Sequence, residues 1–79
     1  MKPNIVIYST HTCPYCLRAK QLFDRKGMTY TEYFIDEDEA LREKMISLSN
    51  RRTVPQIFIN DKHIGGCDDL YALEQSGLL

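Results

Sequence analysis

Three cysteines in 79 residues are too few, and odd in number, to staple a small secreted domain with disulfides. One reactive pair and a spare thiol suit a reducing compartment better. Charge of one sign is missing too. Ten Lys and Arg stand against eleven Asp and Glu, a net charge of −1, so no basic field invites nucleic acid or an anionic membrane. No apolar run approaches the roughly 18 residues of a spanning helix. Met1-Lys2-Pro3-Asn4 lacks the apolar stretch and cleavage site of a signal peptide. The four glycines and three prolines form no repeat, linker or low-complexity tract. These absences lead us to expect a soluble cytoplasmic protein, one domain over residues 1–79, that is a monomer and binds neither nucleic acid nor membrane. The 43% of hydrophobic residues suffice for a modest core.

The apolar residues fall into short segments of alternating kind. Residues 4–8, with Ile5-Val6-Ile7 at their centre, predict a strand covered on both faces. Residues 14–26 predict a helix with Leu17, Leu22 and Phe23 available for the core, stopped at Gly27. Residues 29–35, rich in Thr, Tyr, Phe and Ile, predict a second strand. The acidic run Asp36-Glu37-Asp38-Glu39 complements the dipole of a second helix carrying Leu41, Met45 and Leu48. Residues 56–59 make a third strand, Asn60-Asp61 a hairpin turn, and 62–64 a fourth strand broken by Gly65-Gly66. A last helix starts at Asp68-Asp69, carries Leu70 and Leu73 and ends at Gly77. The order β-α-β-α-β-β-α predicts a parallel first pair, an antiparallel closing hairpin, and an α/β thioredoxin-like fold.

Cys13-Pro14-Tyr15-Cys16 falls where the first strand gives way to the first helix. Unpaired N–H groups and the positive end of the dipole at such a helix start stabilise a thiolate. Pro14 suits the first helical position, where its missing N–H costs nothing. Cys13 sits at the helix mouth and is the candidate nucleophile. Cys16 lies one turn in and is expected to be more covered. A stabilised thiolate is a weaker nucleophile but a better leaving group, so the gain falls on its departure from a mixed disulfide. His11 and His63 read as surface residues, with His11 close enough to Cys13 to modulate it.

Cys13-Pro14-Tyr15-Cys16, Thr53-Val54-Pro55 before a strand, and Gly65-Gly66-Cys67-Asp68-Asp69 before the last helix together resemble the dithiol glutaredoxins, along essentially the whole chain. The resemblance implies a glutathione-dependent thiol–disulfide oxidoreductase, with glutathione as co-substrate and no tightly bound cofactor. Its substrates would be disulfide-containing or glutathionylated proteins, ribonucleotide reductase among the candidates. Cys16 would be the resolving thiol and Tyr15 a wall of the glutathione site. Pro55 would be a cis-proline after Thr53, presenting the Val54 backbone to the ligand's cysteine. Arg51 would pair with its glycine carboxylate. Gly66 allows close backbone approach, Cys67 offers its backbone, and Asp68 and Asp69 at the helix start suit the γ-glutamyl group, which carries an ammonium and a carboxylate on one carbon. One position departs from the pattern: Thr10 stands where many glutaredoxins carry a lysine. Two other readings share these residues. One is a thioredoxin-like electron donor fed by a flavoprotein reductase, and the other a metal or iron–sulfur scaffold using Cys13, Cys16, Cys67 and a histidine.

Overall fold

β-Branched and aromatic residues near the chain start form β1 (Ile5–Ser9). The computed structural model describes residues 3–79; Met1 and Lys2, part of the stretch that argued against a signal peptide, lie outside the described residues. After β1 come α1 (Pro14–Arg25), β2 (Thr31–Phe34), α2 (Glu39–Ser49), β3 (Gln56–Ile59), β4 (Lys62–Gly65) and α3 (Cys67–Gln75). The sheet order is β2-β1-β3-β4. β1 runs parallel to β2 and antiparallel to β3, and β3 and β4 form an antiparallel hairpin. This is the mixed sheet and thioredoxin-like sandwich that the element order implies. Among the described residues no helix is long and apolar enough to cross a membrane.

β1 and β3 occupy the centre, so their side chains meet helices on both faces. On one face Ile5, Ile7 and Ile57 pack with Ala19, Leu22 and Phe23 of α1 and Leu70 of α3. On the other, Tyr8 and Phe58 pack with Ile35, just after β2, and with Met45 of α2. Burying a Leu, Ile or Phe contributes roughly 1.5–3 kcal/mol, so these two clusters hold the sheet between its helices.

One expected core residue, Leu17, lies elsewhere, and so does Leu48 of the second helix's apolar spacing. Leu17 and Leu48 are each 53% exposed. The buried stripe of α1 is Cys16, Ala19, Leu22 and Phe23, a helical spacing that turns Leu17 outward. In α2 the buried positions are Met45 and Ser49, which leaves Leu48 on the flank. β2 is shorter than expected because Thr29, Tyr30 and Ile35 fall outside the ladder. Ile35 is still buried, and its N–H donates to the Ser9 carbonyl at 2.9 Å.

The helix ends follow their local chemistry. Gly27, at φ +68°, follows the C-cap of α1. Asp38 caps α2 by accepting the Ala40 N–H at 2.9 Å. Glu39 follows in the first turn of α2, where its charge complements the dipole, whereas Asp36 and Glu37 serve a different purpose and flank His11 at 3.0 and 3.1 Å. Asn60 and Asp61 make the hairpin turn with positive φ at both positions.

Candidate functional site

The β1–α1 junction presents the cysteine pair. Cys13 is the N-cap of α1, with extended backbone, and Pro14 takes the first helical position. The Cys16 N–H donates to Cys13 Sγ at 3.1 Å, which directs a free helix-terminal donor onto the sulfur where negative charge would develop. The Cys13 thiol reaches the Val54 carbonyl oxygen at 3.8 Å. All three cysteines are free thiols. Cys13 is half-buried, whereas Cys16 is 1% exposed. Burial, reinforced by the contact with Cys13, pushes the Cys16 thiol up to about 12, so near neutral pH it keeps its proton.

Three segments converge beside Cys13. The Val54–Pro55 peptide bond is cis, as the sequence resemblance implied. Tyr15 stands on one side, 54% exposed, with the Arg18 guanidinium 5.5 Å from its ring. Opposite stands the start of α3, where Gly66 is the N-cap. A cleft of about 220 Å³ runs between them, and Tyr15, Arg51, Thr53, Val54, Pro55, Gly66, Cys67, Asp68 and Asp69 all line it. Every binding position expected from sequence therefore faces one cavity. Cys13 borders it through Val54 and itself lines a neighbouring hollow with Thr10, Leu17, Lys20 and Phe34.

The charges in the cleft are distributed unevenly. Asp69 Oδ2 accepts the Gly66 N–H at 3.0 Å and meets Arg51 Nη1 at 3.4 Å. These contacts, the Gly66 bond foremost, hold the Asp69 carboxyl below its ordinary value. Asp69 thus closes the helix start as a capping residue, while Asp68 is exposed and makes no side-chain hydrogen bond among the described residues. Gly65 has φ +124°, and a Cβ there would collide with the Asp69 side chain. The chain needs glycine at that point to bring Asp69 back over the turn. Burial and the nearby Asp68 push the Cys67 thiol up, which suits a backbone role better than sulfur chemistry. Among the described residues no three His, Cys, Asp or Glu side chains gather as a metal site would need.

Sequence reasoning missed Gln56. It lines the cleft and is 1% exposed, and its amide donates to the Thr53 carbonyl and hydroxyl oxygens at 3.0 and 3.2 Å. His63 Nε2 lies 2.8 Å from Gln56 Oε1. His63 is therefore half-buried in a polar chain that fixes the Thr53–Pro55 turn, rather than a surface residue. Gln56 directly follows the proline, so its position was the only available signal.

A sequence model of the glutaredoxin family matches residues 5–64. Glutaredoxin 3 of Escherichia coli is 58% identical over 74 residues, covering 94% of this chain and 89% of that protein. A glutaredoxin of Pseudomonas aeruginosa is 51% identical over 77 residues, covering 98% and 92%. Among solved structures, a buckwheat glutaredoxin–glutathione complex superposes with a TM-score of 0.89 at 36% identity, covering 98% of this chain and 73% of that one. A glutaredoxin from Brucella melitensis gives 0.81 at 50% identity, covering 94% and 80%. The chain belongs to the glutaredoxin family, the glutathione-dependent thiol–disulfide oxidoreductases.

Proposed function

We propose that Cys13 is the nucleophile, Cys16 the resolving thiol, and the cleft beside them the seat of glutathione. The observation that carries this reading is the cleft itself, which gathers the Val54 backbone, Tyr15, Arg51 and the α3 start within reach of Cys13. The thiolate of Cys13 attacks the glutathione sulfur of a glutathionylated protein. A Cys13–glutathione disulfide forms as the protein leaves as a thiolate and takes up a proton. A second glutathione thiolate then attacks the bound glutathione sulfur, releasing oxidised glutathione and regenerating Cys13. On a protein disulfide, Cys13 forms the mixed disulfide and Cys16 closes the Cys13–Cys16 bond, releasing the reduced protein. Two glutathiones then reduce the pair.

In the cleft the Val54 N–H and C=O pair with the ligand's cysteine as an added strand would. Arg51 meets its glycine carboxylate, a charge-assisted contact. The first N–H groups of α3 at Cys67 and Asp68 receive the γ-glutamyl carboxylate. Asp68, with Asp69 beside it, receives the ammonium. Thr53 and Pro55 shape the turn, and Gly66 lets the ligand approach. Glutathione enters as a co-substrate, not a resident cofactor. The setting is the cytoplasm, the active form a single-domain monomer, and the substrates glutathionylated and disulfide-bearing proteins, with ribonucleotide reductase as one candidate.

The test is glutathione-driven turnover of a glutathionylated peptide by the wild type, Cys13→Ser and Cys16→Ser. We expect Cys13→Ser to be inactive and Cys16→Ser to retain most of the activity while losing reduction of protein disulfides. Loss of both activities in Cys16→Ser contradicts the division of roles.

A further inference from the structure

Behind the cysteine pair lies a polar chain to which the chemistry above gives no task. Ser9, fully buried at the end of β1, donates through Oγ to Glu32 Oε2 at 2.6 Å. The same oxygen holds Lys20 Nζ at 2.8 Å. The Lys20 and Glu32 side chains are only 20% and 17% exposed, so water screens them less than it does a surface pair. Apolar residues in such a place commonly serve stability as well or better, and a fixed ammonium there calls for another explanation.

Its location supplies one. Lys20 follows Cys16 by four residues on α1, so the two side chains lie over one another on the same helix face. The ammonium is 5.7 Å from the Phe34 ring centroid and borders the hollow that opens onto Cys13. It is therefore a positive charge held beside the buried thiol that must ionise before it can attack. Facing Cys16 are Cys13, the Thr10 backbone and Lys20. Facing Lys20 are Glu32, Tyr30 and Cys16.

We propose that Lys20, anchored by Glu32 and Ser9, is a positioning residue for the resolving step, stabilising the Cys16 thiolate as it forms. The inference rests on the reading of Cys13 as nucleophile and Cys16 as resolving thiol. In the step, Cys16 gives its proton to solvent and its thiolate attacks Sγ of a Cys13–S–S–R disulfide. The Cys13–Cys16 bond forms as the bond to R breaks, and R departs as a thiolate that takes a proton from solvent. The Cys16 sulfur is oxidised as it enters the disulfide and the sulfur of R is reduced as it leaves, while Cys13 stays disulfide-bonded throughout, with no other redox partner.

The pH behaviour distinguishes this role from a packing role. Pairing with Glu32 raises Lys20 above its ordinary 10.5, so the ammonium's help persists through the neutral range and is lost only as pH rises through the raised value of the folded protein. If Lys20 contributes a factor of ten to Cys16 ionisation, its removal cuts the thiolate fraction about tenfold. The Brønsted slope returns about threefold in nucleophilicity, which leaves ring closure about three- to fourfold slower.

The experiment uses the full chain glutathionylated at Cys13 and held at acid pH. A rapid pH jump then starts closure, followed as glutathione release, in the wild type, Lys20→Gln, Lys20→Arg and Glu32→Gln. We expect Lys20→Gln to close three- to fourfold slower from about pH 6 to 9, with the gap shrinking only at more alkaline pH, as Lys20 itself loses its proton. Lys20→Arg restores the rate and Glu32→Gln falls between. In the Cys16→Ser background, where no closure occurs, turnover of a glutathionylated peptide is expected to change less than the closure rate. A wild-type closure rate in Lys20→Gln overturns the proposal. So does a gap that persists undiminished once Lys20 has lost its proton in the wild type, or an equal loss in the Cys16→Ser background. Failure of the underlying reading has a different signature, no glutathione release from the wild type at any pH, and overturns both.

Discussion

Cys16 should resist alkylation far more than its sequence neighbour, by a margin that can be worked out. Its thiol is pushed up to about 12 from an ordinary 9.0, chiefly by burial. At neutral pH this leaves about a thousandfold fewer thiolates than an ordinary cysteine offers. Each thiolate is more nucleophilic by about 16- to 32-fold, from a Brønsted slope of about 0.4–0.5. The net deficit is about 30- to 60-fold before shielding, and 1% exposure adds to it. The assay is timed alkylation of the reduced protein with iodoacetamide at pH 7, read by mass spectrometry of the three cysteine peptides. The same chain unfolded in guanidinium is the reference. We expect Cys13 to be labelled first, and Cys16 at least about 30-fold slower than in the unfolded chain. Labelling of Cys16 in the folded protein within fivefold of its unfolded rate would refute the reasoning.

Three further outcomes follow from the same structure. Gly65→Ala places a Cβ against the Asp69 side chain at φ +124°, which should cost about 2 kcal/mol and lower Tm by roughly 8–16 °C in a thermal melt. Asp69→Ala removes the acceptor for the Gly66 N–H and should cost about 1 kcal/mol, an ordinary cap given the half-exposed side chain. Because the folded Asp69 carboxyl is held below its ordinary value, this stability is present above about pH 4. It is lost as pH falls through the folded value, so wild-type and variant denaturation midpoints should converge in acid. His11 is raised above 6.5, first by its hydrogen bond to Asp36, so its pairing contributes fully below pH 6.5 and fades as pH rises through the folded value. Proton NMR should show its titration above 6.5 in the wild type and moved back toward 6.5 in Asp36→Asn.

Most of the fold was legible because local signals agreed with tertiary need. Pro14 after Cys13, Gly27 after α1 and Asn60-Asp61 between two apolar runs each set a boundary that the structure keeps. Leu17 is exposed against expectation, and Leu48 beside it in this respect, because hydrophobicity does not reveal which side of a helix meets the sheet. That depends on the phase set by Cys16, Ala19 and Phe23 in α1, and by Met45 and Ser49 in α2. Half of the acidic run keeps to the helix start, Asp38 as cap and Glu39 in the first turn, while Asp36 and Glu37 have a distant partner in His11. The residues around the cleft were found through motifs that keep short stretches together. Gln56 with His63, and Ser9 with Glu32 and Lys20, join elements far apart in the chain. No spacing rule announces such partners.

The most direct test of the account is to trap glutathione on Cys13 in the Cys16→Ser protein and compare amide NMR spectra with and without it. The account predicts shifts concentrated at Tyr15, Arg51, residues 53–56 and residues 66–69, with contacts between the ligand's cysteine and the Val54 backbone. Shifts confined to residues 10–17, with Val54 and the start of α3 unmoved, would contradict it.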